Sequence, residues 1–236
     1  MIPYVYQTIH LFGGRARLLD EHLAVLAAGA ATLFGRSYRP ERRDVERRLL
    51  AAARAERYPA AVSGFVRIEV AADGTERLRP LGTSLYAGYA VRSLRPAAVT
   101  IPCERLLTEL PTSASEAADA LAAEAARRLG ADAAVRCDAA GICRSVGDAP
   151  LFAIRDGAVY GERRHPSAET LLLERGLAAA GIRFEEQPLR RSALGIYDEL
   201  FVVDYRGITS LSRCDGLPCM SIVVDRVAAG MEAAVR

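Results

Sequence analysis

An α/β (α+β) chain organised as two units, residues 1–107 and 108–236, is predicted by three features of the sequence. Alternating or β-rich stretches fold back at Gly13-Gly14, Asp73-Gly74 and Asp156-Gly157, which are hairpin signals. Stretches with apolar residues three and four apart lie between them and read as amphipathic helices. A change of unit near residues 106–112 is marked by Pro102, Pro111 and the polar residues between.

In order along the chain, YVYQTIHLF is a strand, Gly13-Gly14 its turn and RARLL its return. Asp20 is expected to cap a helix with Leu23, Leu26, Ala27, Ala30, Leu33 and Phe34 on one face, closed by Gly35. A second helix follows in RPERRDVERRLLAAARAERYP, with Val45, Leu49, Ala52 and Ala53 as its stripe. Its arginines alternate with acids, and Asp44 and Arg48 form a favourable pair four residues apart, so this is a solvated face. GFVRIEVAADGTERLRPL is a hairpin, and SLYAGYAVRSL and AAVTIP are expected to continue the same sheet.

The second half opens with LPTSASEAADALAAEAARRLGADAAV, a helix expected to be capped by Ser113 or Ser115 and ended by Gly130. None of Thr112 to Glu116 is expected to be reactive. ADAAVRCD and ICRSV form a strand pair around the turn AAG, and PLFAIRDGAVYGE forms a hairpin. SAETLLLERGLAAAGI is a helix, RFEEQPL a strand and ELFVVDY a buried strand, and MSIVVDRVAAGMEAAVR closes the chain as an amphipathic helix.

A net charge of +2 gives no basis for nucleic-acid binding. There is no apolar run of membrane-spanning length and no basic leader, so a cytoplasmic location is expected. The five cysteines lack C-x-x-C spacing; they are expected to be small buried hydrophobes, and no metal site is expected. No catalytic serine–histidine–aspartate set, P-loop or dinucleotide motif is present. Of the three histidines, His10, His22 and His165, His22 at the helix opening is read as structural. All 31 cationic side chains are arginine; the chain has no lysine.

The words GGRARLLDEHLAVL, EAARRLGADAAVRCDAAGICRSVGDAPLFAIRDGAVY, HPSAETLLLERGLAAAGIRFEEQPL and YDELFVVDYRGITSL, in this order and spacing, resemble the class IV aminotransferases over nearly the whole chain. These are the pyridoxal-phosphate (PLP) enzymes of the branched-chain aminotransferase, D-amino-acid aminotransferase and aminodeoxychorismate lyase group. The resemblance implies two α/β domains, a cleft between them and a homodimer.

It also implies site positions, and this chain departs from the family at each. The lysine position falls on Thr112, or on Pro111 if the register slips by one. The tyrosine position falls on Glu116, the phosphate-pairing arginine on Val25, and the acid beside the pyridine nitrogen on Ser145. In the phosphate loop Asp204 would repel phosphate, whereas Arg206, Thr209, Ser210 and Arg213 could bind another anion. A Schiff base requires a neutral primary amine, and a guanidinium does not supply one. The only amine is the α-amino group of Met1, on the opening strand.

The expectation is a class IV aminotransferase-like protein with no bound PLP, inactive as a transaminase or lyase. It would bind a partner or a small-molecule anion in the interdomain cleft. The alternative is a related enzyme with non-covalent PLP or altered chemistry, using Arg67, Thr112, Glu116 and Ser145.

Overall fold

A computed structural model describes residues 2–104, 109–163 and 167–235. Met1, His165 and the unit boundary expected at residue 107 lie outside the described residues.

The chain opens with β1 (Tyr4–Phe12) and β2 (Arg15–Ala16), joined at Gly13-Gly14 as expected. Helix α1 (Leu19–Phe34) corrects one expectation. Its cap is Leu18, in the left-handed region at φ 51, and Asp20 lies inside the first turn, where the helix dipole favours a carboxylate. Gly35 ends the helix at φ 63, and the N–H of Arg36 reaches back to Ala30 at 3.1 Å, a Schellman closure. Helix α2 (Arg42–Ala55) buries Val45, Leu49 and Ala53, and Arg48 pairs with Asp44 at 2.9 Å. The hairpin of β3 (Ser63–Ala71) and β4 (Glu76–Ser84) completes an antiparallel sheet of order β2-β1-β3-β4. Ile9, Leu26, Leu49, Val66 and Ile68 form the core between this sheet and the two helices.

Two expectations for residues 85–102 are corrected. Beyond Ser84, which ends β4, the SLYAGYAVRSL segment makes only an isolated bridge, Val91 to Ile208. Gly88, at φ 65, and Pro96 interrupt any continuous ladder there. The AAVTIP stretch is a strand, β5 (Ala97–Pro102), but it leaves the first sheet and joins a second.

That second sheet has eleven strands. After α3 (Ser113–Arg128) come β6 (Ala133–Cys137), β7 (Ile142–Val146), β8 (Ala149–Arg155) and β9 (Ala158–Gly161). Helix α4 (Ala168–Ala180) leads to β10 (Phe184–Glu186), β11 (Leu189–Arg190) and a 3₁₀ turn over Arg191–Ile196. Then follow β12 (Glu199–Asp204), β13 (Gly207–Ser210), β14 (Arg213–Cys214), β15 (Leu217–Pro218) and helix α5 (Val224–Ala234). The sheet runs β10-β9-β8-β7-β6-β5-β14-β15, with β11 on β7, and β12 paired to both β8 and β13.

The unbroken apolar run of β12 has a simple cause: both faces are buried. Phe201 and Val203 join Phe152, Leu172 and Met231 in the core beneath α4 and α5, while Leu200 and Val202 join Leu151 and Ala153 in the core on the other face. Buried Glu199 holds the start of α5, accepting from the N–H groups of Ile222 at 2.9 Å and Val223 at 2.7 Å. No helix among the described residues is long and apolar enough to cross a membrane.

The cap of α3 is Thr112, and Ser115, one of the two serines expected in that role, completes it. Its Oγ1 accepts from Ser115 N–H at 3.1 Å, and Ser115 Oγ accepts from Thr112 N–H at 2.8 Å, a closed capping box. Thr112→Ala is expected to lower stability by about 1 kcal/mol in urea unfolding; an unchanged midpoint would mean that the box contributes nothing.

Candidate functional site: a cleft lined by both sheets

A cleft of about 330 Å³ is lined by β1 and β3 of the first sheet, by β6 and the β7–β8 turn of the second, and by parts of α1, α3 and α4. Arg67 and Arg206 line it, as the sequence suggested. Glu116 and Ser145 lie one contact behind the wall, bonded to Arg67 and Arg136, and Thr112 follows the lining residue Pro111 in the chain. Thr209 and Ser210 do not line it: both are buried in β13, where Ser221 Oγ donates to Ser210 Oγ at 3.1 Å.

Arg67 stands on β3 opposite Thr8 of β1, which places its side chain beside the ring of Tyr6. Its guanidinium carbon lies 4.0 Å from that ring's centroid. Arg67 Nη1 donates to Glu116, whose other carboxylate oxygen accepts from the Tyr4 hydroxyl at 2.6 Å. Burial is the largest influence on Arg67 and opposes its charge, but the bond to Glu116 together with the charges of Tyr6, Glu116 and Asp148 outweighs it and raises the pKa. The hydroxyl of Tyr6 donates to Asp148, and burial pushes that phenol well above its ordinary range. The position that the resemblance assigns to a tyrosine is therefore one half of an ion pair.

The floor holds a residue that sequence reasoning passed over. Arg136 lies on β6 opposite Ser145 of β7 and is 2% exposed. Its Nε donates to Ser145 Oγ at 3.1 Å, and Nη2 donates to Glu109. A buried guanidinium thus sits beside the position that the resemblance assigns to an acid. The signal was available: Arg136 is a lone charge in the apolar strand AAVRC, where an unneeded charge is costly.

A second missed group is Glu169, at the start of α4, 6% exposed. Its Oε2 accepts from Ser167 Oγ at 2.8 Å, and its Oε1 lies 3.5 Å from Nε2 of buried His22. Gln7 fixes the histidine tautomer. Its amide nitrogen donates to Tyr6 O at 3.0 Å, so its oxygen faces His22 Nδ1 at 2.9 Å and that nitrogen carries the proton. Burial lowers the His22 pKa to about 3 and raises that of Glu169 to about 7. A neutral imidazole therefore presents its lone pair toward a carboxyl that holds its proton into the neutral range.

At the far wall the turn after β12 is closed on itself. Asp204 accepts from the backbone N–H of Arg206 at 2.8 Å and from its Nε at 2.9 Å. The lining as a whole carries Asp119, Asp132, Asp148, Glu169 and Asp204 against Arg67, Arg136 and Arg206. Among the described residues, no group of three or more His, Cys, Asp or Glu side chains is arranged to hold a metal ion.

This architecture is shared with solved structures at low sequence identity. A branched-chain aminotransferase from Thermoproteus uzoniensis, solved with norvaline, matches with a TM-score of 0.80 and 16% identity, over 97% of this chain and 84% of that one. A putative 4-amino-4-deoxychorismate lyase from Legionella pneumophila matches with a TM-score of 0.80 and 15% identity, over 98% and 91%. An aminotransferase from Brucella abortus, solved with PLP, matches with a TM-score of 0.78 and 17% identity, over 98% and 88%. A search of the curated proteins matched none. The fold is thus that of the class IV, PLP-dependent group. The family model for amino-transferase class IV matches residues 4–204, and the chain belongs to that family.

Proposed function

We propose that this class IV aminotransferase homologue does not act as a PLP-dependent transaminase or lyase, and that its cleft binds a small anion instead. The observation that carries the reading is the pairing of Arg136 with Ser145 in a chain without lysine.

The residues present do not fit PLP. No side chain can form the imine, and both oxygens of the Thr112–Ser115 capping box are occupied. A buried guanidinium beside Ser145 opposes a protonated pyridine nitrogen, which a carboxylate would favour. The Asp204 carboxylate already takes the N–H of Arg206 and would repel a phosphate dianion. An incoming carboxylate could instead replace Glu109, whose side chain is 40% exposed, on Arg136.

The division into units of 1–107 and 108–236 belongs to the same proposal. The four-stranded sheet lies wholly in the first unit, and the eleven-stranded sheet, apart from β5, lies in the second. A cytoplasmic homodimer is also part of it; Leu85, fully exposed, and Leu94, 71% exposed, supply apolar surface for self-association.

The test is spectroscopic. Purified protein incubated with PLP and desalted is expected to retain no stoichiometric visible or near-ultraviolet band, and borohydride is expected to add no coenzyme mass. A retained, reducible chromophore would sink the proposal. A second reading, in which chemistry persists in the cleft, is favoured by the Glu169–His22 pair alone. Turnover that survives Glu116→Gln and Arg67→Met but is lost in Glu169→Gln would support that reading.

A further inference from the structure

Five free thiols lie in the described chain, and two of them are placed unlike the rest. Cys137 of β6 and Cys143 of β7 are cross-strand partners, and both are 3% exposed. Their Sγ atoms are 2.8 Å apart, inside the van der Waals contact of two sulfurs yet beyond the bonded distance of about 2.05 Å.

The hairpin brings them together through an irregularity. Arg136 pairs with Ser145 while Cys137 pairs with Cys143, so β7 advances two residues where β6 advances one. Arg144 is the extra residue, held outside by Asp138 at 2.8 Å and by Glu162. A surface recess edged by Gly141, Arg191 and Asp215 adjoins the hairpin turn, and Arg191 and Asp215 both act electrostatically on the Cys137 sulfur.

We propose that Cys137 and Cys143 form a reversible dithiol–disulfide couple, oxidised by a small peroxide entering from this recess. The Cys137 thiolate attacks one oxygen of hydrogen peroxide. The O–O bond breaks, a sulfenic acid forms, and the hydroxide released takes up a proton as water. Cys143, after losing its proton, attacks the Cys137 sulfur, and the sulfenic oxygen leaves as a second water. In sum, two thiols and one peroxide give one disulfide and two waters. A dithiol reductant reverses the product by thiol–disulfide exchange.

The electrostatics assign the two roles. The two sulfurs share one hydrogen bond in which either can donate, and the Arg191 charge favours the thiolate at Cys137. Cys137 is therefore the attacking sulfur and Cys143 the resolving one. Cys214 is buried in the same core and is the competing partner.

Trypsin cleaves after Arg136 and Arg144, so both cysteines fall in one peptide, CDAAGICR. Folded wild-type protein is treated with hydrogen peroxide, free thiols are alkylated under denaturing conditions, and the peptides are weighed. The expected result is an unalkylated peptide 137–144 lighter by two hydrogens. Dithiothreitol should restore double alkylation, and Tm should rise by several degrees in the oxidised form. In Cys143→Ala the same treatment is expected to stop at a dimedone-trapped sulfenic acid on Cys137. Two outcomes overturn the proposal: peptide 137–144 recovered doubly alkylated while Cys103 or Cys219 is oxidised, or a cross-link to the peptide carrying Cys214. The wild-type arm needs no variant to fold.

Discussion

Gly230→Ala is expected to destabilise the protein by about 3 kcal/mol, although alanine is the better helix former by about 1 kcal/mol. Helices α4 and α5 cross backbone to backbone. A β-carbon on Gly230 would stand 2.3 Å from the carbonyl oxygen of Gly176 and 3.0 Å from its carbonyl carbon. The reciprocal change fares no better, since a β-carbon on Gly176 would meet Met231 N at 2.6 Å and Met231 Cα at 2.8 Å. These are main-chain atoms and cannot rotate away, so the helices must separate. Their separation would open the core that holds Leu172, Leu173, Val227 and Met231. For a chain of this length the expected fall in Tm is roughly 6–12 °C. The two effects on Gly230→Ala have opposite signs, so the measurement discriminates: a gain in stability would mean that the helices do not approach this closely.

The second large effect is on the pH dependence of stability. Burial lowers both His10 and His22 to about 3, with the Arg17 charge adding at His10 and the His10 charge at His22. Between about pH 6.5 and 3 the unfolded chain binds protons at these sites that the folded chain refuses, so stability falls as pH falls. Each histidine accounts for up to about 5 kcal/mol at the acid end.

Glu169 acts in the opposite direction. Its carboxyl, raised to about 7 by burial, stays protonated in the fold over a range where the unfolded chain has released the proton. Stability therefore falls with rising pH from about 4.5 to 7, by about 3 kcal/mol in total. Two histidines outweigh one carboxyl up to about pH 6.5, and the carboxyl outweighs them above about pH 7, so these groups place the optimum between about pH 6.5 and 7. Urea midpoints measured across the range check this. Glu169→Gln is expected to gain most of that 3 kcal/mol on the alkaline side and to change little near pH 4.5; equal effects at both ends would refute the assignment.

The hairpins at Gly13-Gly14, Asp73-Gly74 and Asp156-Gly157 were legible because turn chemistry is local, and so were the five α-helices among the described residues, whose periodicity is local too. The placement of β5 was not, because its partners β6 and β14 lie well beyond it in the chain and nothing in AAVTIP names them. The same holds at the cleft. Arg67 and Arg206 were found as cations at a strand and a loop, but Arg136 was passed over inside an apolar strand and Glu169 inside a helix start. Burial turned both from ordinary members of an element into the most consequential ionisable groups of the site. Thr209 and Ser210 were nominated for their hydroxyls, but their strand carries them into the interior instead.

The closed ring of hydrogen bonds at the head of α3 bears on reversibility. On the reading proposed above, installing an amine at residue 112 would not by itself create an imine-forming centre. The substitution would strip the helix of its first-turn anchor and strand Ser115 without its acceptor, while Arg136 and Asp204 stayed as they are. On that reading, coenzyme chemistry would demand several coordinated replacements, each of them unrewarded until the others were in place.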